Sequence, residues 1–463
     1  VASLQSIDPF LASVLNEEQR ARSASISLIA SENIPLPEVS ALASSEFLSR
    51  NYFGNPIGQD ARRPPFYPGH EAASNLQTLA IERVKGLFHC NHANVQPLSG
   101  TLANSAVFKA LDEKLCRKAV TLSLDFVNGG HFSHGGDRDN CNADARHAHG
   151  YGVCDDGSIN YDDLENRALN ANPKPDVIIV GGSSYTHDID FVRVREIADK
   201  IGALVWYDMA QVSGLIAGGA MRQPFEHGVD IATSSTHKTI RGVKGGFIAW
   251  NDPNLSRFIN DAVAPGIQGE TNIANIAANA LAFLHASSED YGLYAHQTIK
   301  NANLMAEKLM ENNIRVLGNG TETHFIMVDL RPLGLKGEHI ASALANIGLL
   351  CNKQAVPGDT DRILNSGIRI GTPAATSQGF SPSDFTQIAN IISNMIHVHA
   401  QTLQNIGLDY SQFHNSPEYL AYESTQREQV QEIIANAPFQ PFPYAYADFA
   451  LTGLPIRGQI HIQ

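Results

Sequence analysis

Asp208, in the stretch ALVWYDMAQVSGLIAGG, and Lys238, in DIATSSTHKTIRGVKGG, are the residues whose setting first suggests chemistry. Each stretch opens as an apolar strand that is expected to run up to its charged residue. In an open parallel sheet the carboxyl ends of strands face the ligand crevice, so an Asp and a Lys placed there can meet around one bound molecule. An amine that forms a Schiff base, opposite a carboxylate that keeps a ring nitrogen protonated, is what pyridoxal phosphate requires. Taken alone, the pair reads sooner as a strand-end Asp capping a turn and a surface Lys.

Three further groups bear on that choice. Ser99, Gly100 and Thr101 form a tight turn before an apolar helix in NVQPLSGTLANSAV, where backbone N–H groups and the helix amino terminus favour a phosphate. The same residues would equally serve as an N-cap. His131 follows two glycines in NGGHFSHGG, a place from which a flat imidazole could stack on a pyridine ring. A metal reading of His131 and His134, with His147 and His149 downstream and His89, Cys90 and His92 upstream, lacks an HExxH or CxxC frame, so no metal is expected. Arg369, flanked by glycines in NSGIRIGTPA, offers the planar fork that binds a carboxylate in two parallel hydrogen bonds, or a plain salt bridge.

These residues need a scaffold, and the apolar pattern supplies one. Asp8-Pro9 reads as an N-cap and first helical residue opening an arm through about Arg22, with Phe10, Leu11, Val14 and Leu15 on one face. Helical patterns at 70–88, 101–112 and 192–201 alternate with apolar runs at 119–124, 177–180 and 204–206. Strand, helix, strand repetition predicts a parallel sheet with helices on both faces. After a helix at 272–286 come a helix over 297–311, the strand HFIMVDL, a helix from Glu338, the strand LLCN and a strand at 366–370. That is a smaller second α/β unit, closed by helices at 384–401 and 418–436 and an irregular segment FQPFPYAYADF. The expected division is an arm over 1–45, a large domain over 46–285 and a small domain over 286–463.

Composition narrows the function. The 463 residues carry 33 Lys plus Arg against 47 Asp plus Glu, a formal charge of −14, which argues against a phosphate-backbone binder. With 43% hydrophobic and 17% charged residues, the chain reads as an ordinary globular protein with no bilayer-length apolar run. VASLQSIDPF has neither a basic start nor an apolar signal core, so a cytoplasmic protein is expected. Five scattered cysteines, Cys90, Cys116, Cys141, Cys154 and Cys351, predict reduced and mostly buried thiols.

LIASEN (28–33), NVQP-SG (94–100), GGH-SHG (129–135), STHKT-RG--GG (235–246), PGIQG (265–269) and SGIRIGTPA (366–374) occur in the order in which similar motifs occur in serine hydroxymethyltransferases. The chain resembles that family, pyridoxal-phosphate enzymes of the aspartate-aminotransferase fold, over most of its length. The resemblance implies an α/β fold with a mostly parallel seven-stranded sheet. It implies that Lys238 carries the cofactor as a Schiff base, that Asp208 pairs with the pyridinium nitrogen and that His131 stacks on the ring. Ser99, Gly100 and Thr101 would hold the phosphate, with Ser183, Gln211, His237 and Gly269 completing the cofactor site. Ser31 and Arg369 would bind an amino-acid carboxylate, and Phe126, Gly130 and Gln354 would line a folate or aldehyde wall. Tyr52, Tyr67 and Gly269 would reach the site of a partner chain, making a homodimer the minimal active unit, with a tetramer open.

Departures from the family pattern are specific. A Glu normally follows Tyr52 after one small residue; here Phe53 and Gly54 follow, the loop is longer and Phe66 replaces a Tyr. Asp60 or Glu270 is a candidate replacement. The family's DMAH is DMAQ, with Gln211 as a donor that cannot titrate, and Lys244 stands for an Arg. The expectation is reversible cleavage at Cα–Cβ of serine or another β-hydroxy amino acid, giving glycine, with tetrahydrofolate nominally taking the one-carbon unit. A folate-independent threonine-type aldolase or transaldolase is the alternative, and an inactive regulatory or interaction protein is a further one.

Overall fold

A computed structural model describes residues 4–56, 58–62, 64–134, 148–359, 365–406 and 413–437. Cys141, His147, the last glycine of the GGH-SHG motif and the FQPFPYAYADF segment lie outside the described residues.

The arm helix Pro9–Ser23 starts where expected: the Asp8 side chain accepts from the Leu11 N–H at 2.9 Å, and Pro9 takes the first helical position. Its apolar face is not covered by the described residues, since Phe10 is 80% exposed and Ala12 alone is buried. The arm then enters strand β1 (Ile26–Ser27).

Seven strands form the main sheet: β2 (His92–Asn94), β3 (Thr121–Leu124), β4 (Ala148–Tyr151), β5 (Val177–Val180), β6 (Leu204–Asp208), β7 (Ile231–Ser235) and β8 (Gly246–Trp250). Their order is β2-β8-β7-β6-β5-β3-β4. The five strands from β7 to β4 run parallel, while β8 is antiparallel to both of its neighbours. Alternate residues feed two cores, as a period of two requires. Ile178, Val180, Val205 and Tyr207 face one, with helices Glu71–Phe88, Phe191–Ile201 and Ile273–Ala286. Val177, Ile179, Trp206 and Ile231 face the other, with helix Gly100–Leu115. Burial on both faces explains why VIIV and IATSS carry no exposed residue.

Strands β9 (Phe325–Asp329), β11 (Asn352–Gln354) and β12 (Gly367–Gly371) make an antiparallel sheet with β12 in the middle. Its core includes Met305, Leu309, Ile326, Ile368, Phe385 and Ile392. The expected LLCN strand divides. β10 (Leu349–Leu350) pairs in parallel with β1, joining the arm to this unit, while Asn352 begins β11.

Other expectations need correction. The helix expected from Gln297 begins at Glu289, because Ser288 caps it through the Tyr291 N–H and acidic Glu289 and Asp290 favour its first turn. Strand β7 ends at Ser235 rather than at Lys238, which lies in the following loop. The four thiols among the described residues are free but not mostly buried: Cys116 and Cys154 are exposed, Cys351 is intermediate and Cys90 is buried. No helix among the described residues is long and apolar enough to cross a membrane.

Candidate active site

The carboxyl ends of β3, β5, β6 and β7 converge. β6 ends in Asp208, whose side chain is nearly buried. Its Oδ2 accepts from His134 Nε2 and from Asn104 Nδ2, both at 2.9 Å, and its Oδ1 accepts from the Ala210 N–H at 3.0 Å. Burial pushes the carboxyl pKa up, but the hydrogen bonds from His134 and Asn104 and the field of the neighbouring imidazoles outweigh it and hold the group well below the usual carboxylate range. Asp208 is therefore a buried anion at neutral pH.

Lys238 sits in a loop whose shape depends on small residues. Gly242 N–H donates to Thr236 O at 2.8 Å, Thr236 N–H to Gly245 O at 3.2 Å, and Arg241 takes φ 61°. A Cβ on Gly242 would lie 2.4 Å from Asn279 Oδ1, which itself accepts from the Val243 N–H at 2.9 Å. This close approach, rather than flexibility, accounts for the glycines of RGVKGG. Burial lowers the Lys238 pKa to about 8; Asp208 opposes the shift and the Arg369 cation adds to it.

His131 follows β3 and a short turn. Its Nδ1 is 2.7 Å from Ser133 Oγ, and burial above all, against the pull of Asp208, lowers its pKa to about 3. It is a neutral ring at physiological pH. His131, His134 and Asp208 bring possible ligand atoms within 4.8 Å of one another, the one such group among the described residues. The other histidines weighed for a metal lie elsewhere: His89 pairs with Glu226, His92 stacks on Trp250 and His149 faces Pro173 O.

Ser99 caps helix Gly100–Leu115, accepting from the Leu102 N–H at 3.2 Å. A Cβ on Gly100 would touch Ser235 Cβ at 3.4 Å, and one on Gly246 would meet Ser99 O at 2.5 Å. The turn is thus held against the ends of β7 and β8. Gln211 is buried with its Oε1 lacking a protein partner, and the same holds for His237 Nδ1 and Asn104 Oδ1. Burial first, then the Lys238 and Lys244 cations, lowers the His237 pKa to about 4.

Arg369 enters from β12 and is 6% exposed. Its Nη1 donates to the backbone oxygen and, at 3.3 Å, to the Oγ of Ser183; its Nε donates to Asn352 Oδ1 at 3.1 Å. Phe325 lies under the guanidinium, 5.7 Å from its ring centroid. All these partners are neutral, and among the described residues no carboxylate forms an ion pair with it. Burial lowers its pKa to about 10, so it stays charged. A buried cation without an anion is a ready carboxylate site. Half-buried Ser31 lies in a segment fixed by Gly371 N–H to Leu28 O at 2.7 Å and His324 Nε2 to Ala30 O at 3.1 Å.

The remaining expected residues are not gathered around Lys238 by this chain's recorded contacts. Tyr52 is 1% exposed, stacked on His70 with ring centroids 5.8 Å apart, while the more open Tyr67 lies 5.5 Å from the same imidazole. Gly269 is exposed, with open space where a Cβ would be. Phe126 begins the turn after β3, and Gly130 is packed so tightly that a Cβ would sit 2.1 Å from Leu124 O. Gln354 Oε1 accepts from Asn352 Nδ2 at 3.3 Å. Asp60 and Glu270 are both exposed. His134, Asn104 and Asn352 are site residues that motif reading did not assign; the HxxH spacing was the one local signal for His134.

Residues 4–392 match the family described as serine hydroxymethyltransferase. The chain belongs to that family. It is 38% identical to the serine hydroxymethyltransferase of Rhodospirillum centenum over 436 residues, 94% of this chain and 96% of that protein. It is 41% identical to that of a Marinomonas species over 396 residues, covering 84% and 89% of the two chains. Members of the serine hydroxymethyltransferase family are pyridoxal-phosphate-dependent transferases acting on amino acids, and the α/β architecture agrees with that assignment. The residues present fit the cofactor. A buried anion, an amine of lowered pKa, a neutral imidazole and a glycine-lined turn come with buried polar atoms of Gln211, His237 and Asn104 that lack a partner among the described residues.

Proposed function

We propose that the protein catalyses the reversible cleavage of the Cα–Cβ bond of serine to glycine, with Lys238 as the residue that binds pyridoxal phosphate and tetrahydrofolate taking the one-carbon unit. The observation that carries this reading is Arg369: a buried guanidinium whose partners among the described residues are neutral oxygens, in the same crevice as Asp208 and Lys238. It supports an amino-acid carboxylate as the ligand, with Ser31 as its second contact.

Pyridoxal phosphate, when bound, supplies the electron sink for the carbanion left at Cα. Asp208 holds a proton on the ring nitrogen, His131 packs its neutral face on the ring, and Ser99, Gly100 and Thr101 donate to the phosphate. Ser183, Gln211 and His237 complete the polar lining. Gln211 donates without changing charge across the physiological range.

A homodimer with shared sites is part of this proposal: Tyr67, Tyr52 and Gly269 serve the partner's crevice, and the tyrosine hydroxyls position the substrate hydroxyl by hydrogen bonding. The uncovered face of Phe10, Leu11 and Val14 and the 70% exposure of Phe66 support an assembly that covers them. Phe126, Gly130 and Gln354 form the folate wall. The division at residues 45 and 285 and a cytoplasmic location belong to the same reading.

One observation favours a folate-independent aldol reaction or transfer instead. The position of the missing Glu is Gly54, and the two candidate replacements, Asp60 and Glu270, are both exposed. Two measurements test the whole. Borohydride reduction of the cofactor-loaded protein followed by peptide mapping should find the label on Lys238, and Lys238→Ala should lose both label and turnover while keeping its melting temperature. Serine cleavage should accelerate with tetrahydrofolate; an unchanged rate would replace the folate reading with the aldol one.

A further inference from the structure

The side chain of Asn33 uses every hydrogen-bonding position it has. Its Nδ2 donates to Lys238 O at 2.9 Å and to Tyr294 Oη at 2.7 Å, while its Oδ1 accepts from the Ile34 N–H at 2.8 Å and from Ser377 Oγ at 2.7 Å. The Ile34 N–H can only donate, which fixes the amide orientation, and a flipped amide would oppose donor to donor. One carboxamide therefore joins the arm, the loop of Lys238, helix Glu289–Glu311 and the short helix Pro373–Ser377.

The neighbouring contacts repeat the connection. Arg241, three residues after Lys238, donates through Nε to Ile34 O at 3.0 Å and lays its guanidinium 5.0 Å from the Tyr294 ring centroid. Two residues before Asn33 is Ser31, on the segment that Gly371 and His324 clamp to the sheet carrying Arg369. The strap over residues 28–34 thus touches the carboxylate-binding strand at one end and the peptide of the lysine at the other.

We propose that Asn33 is a positioning residue for Lys238, fixing the lysine's peptide and thereby setting the amine's place relative to the carboxylate site. The proposal rests on the roles assigned above to Lys238 and Arg369. It requires no contact between Asn33 and substrate. A saturated amide is suited to this task because loss of any one partner leaves a polar group unpaired in a partly buried place.

The groups that act on the amine are Asp208 at the end of β6, His131 and His237 in the loops after β3 and β7, Arg369 in the middle of β12 and His324 just before β9. Freed from Asn33, the loop lets solvent reach the amine, and its proton affinity rises toward that of an ordinary lysine.

The test is competitive acetylation of the cofactor-free protein with acetic anhydride between pH 6 and 10, read peptide by peptide by mass spectrometry. In Asn33→Ala the Lys238 midpoint should move upward from about 8, with at least about a threefold change in labelling at neutral pH, while exposed lysines keep their rates. Ser377→Ala, which removes one donor and keeps Asn33, should give a smaller shift in the same direction and covers the case in which Asn33→Ala does not fold. In the loaded proteins, the pH midpoint of the visible cofactor band should shift with the labelling midpoint. Unchanged Lys238 labelling in both soluble variants would overturn the proposal. Because labelling is read without cofactor, that failure is distinct from failure of the borohydride map to place the cofactor on Lys238.

Discussion

His134 Nε2 donates to Asp208 Oδ2 across 2.9 Å, leaving His134 Nδ1 without a protein partner in a fully buried position. With Asn104 Nδ2 on the same oxygen, Asp208 is kept ionised and aimed by two side chains from different elements. Removing either donor leaves a buried carboxylate oxygen short of a partner, a change of about 1–3 kcal/mol. His134→Ala and Asn104→Ala should therefore weaken cofactor binding on the order of 10- to 100-fold. Fluorescence titration of the cofactor-free proteins checks this; wild-type affinity in both variants would remove the donors from the site's function.

Arg369→Lys should raise KM for the amino acid by at least about thirtyfold, or about 2 kcal/mol, because a point charge replaces the fork that Asn352 and Ser183 orient. Cofactor affinity should stay near wild type, since Arg369 is assigned to the substrate carboxylate. Steady-state kinetics beside a cofactor titration separate the two effects. A fall in kcat with KM unchanged would contradict the assignment.

The pattern of neutral buried histidines fixes the sign of the acid response. Burial lowers the pKa values of His131, His324 and His399 to about 3 and of His237 to about 4, against the 6.5 of a free imidazole. Between these values the unfolded chain binds more protons than the folded one. Stability is therefore complete above about pH 6.5 and falls as pH drops toward 4, by about 1.4 kcal/mol per pH unit for each such histidine. Urea unfolding at pH 4.5–7.5 should show this slope, and His324→Gln should reduce it by about one proton. An unaltered slope in that variant would mean that His324 is already charged in the native protein.

Much of this site was legible because its chemistry lies at the ends of short buried strands. LVWYD could only be an interior strand leading to a charged residue, and Ser99-Gly100-Thr101 marks a helix start by local rules alone. Lys238 was legible as a residue but not as a position, since two residues of loop, Thr236 and His237, separate it from β7. Asn104, His134 and Asn352 act through partners distant in sequence, and no periodicity marks such meetings. The arm's apolar face was readable as a helix face, but the same pattern does not say whether its cover comes from this chain.

Gly246 makes the tightest backbone approach to the Ser99–Thr101 turn. Gly246 opens β8 with its N–H on Pro97 O at 2.8 Å, and a Cβ there would lie 2.5 Å from Ser99 O and 3.0 Å from Ser234 O. Both obstacles are backbone atoms, which cannot rotate away as a side chain could. Gly246→Ala must therefore push the Ser99 turn from the end of β7, at a cost of about 1–3 kcal/mol for overpacking. Because that turn also presents the N–H groups of Gly100 and Thr101, the variant should lose affinity for pyridoxal phosphate more than for pyridoxal, which has no phosphate to place. Gly219→Ala, in open space at the surface, controls for the general effect of adding a methyl group, with only its φ of 72° to strain. Equal losses for the two ligands in Gly246→Ala would show that the turn does not hold the phosphate.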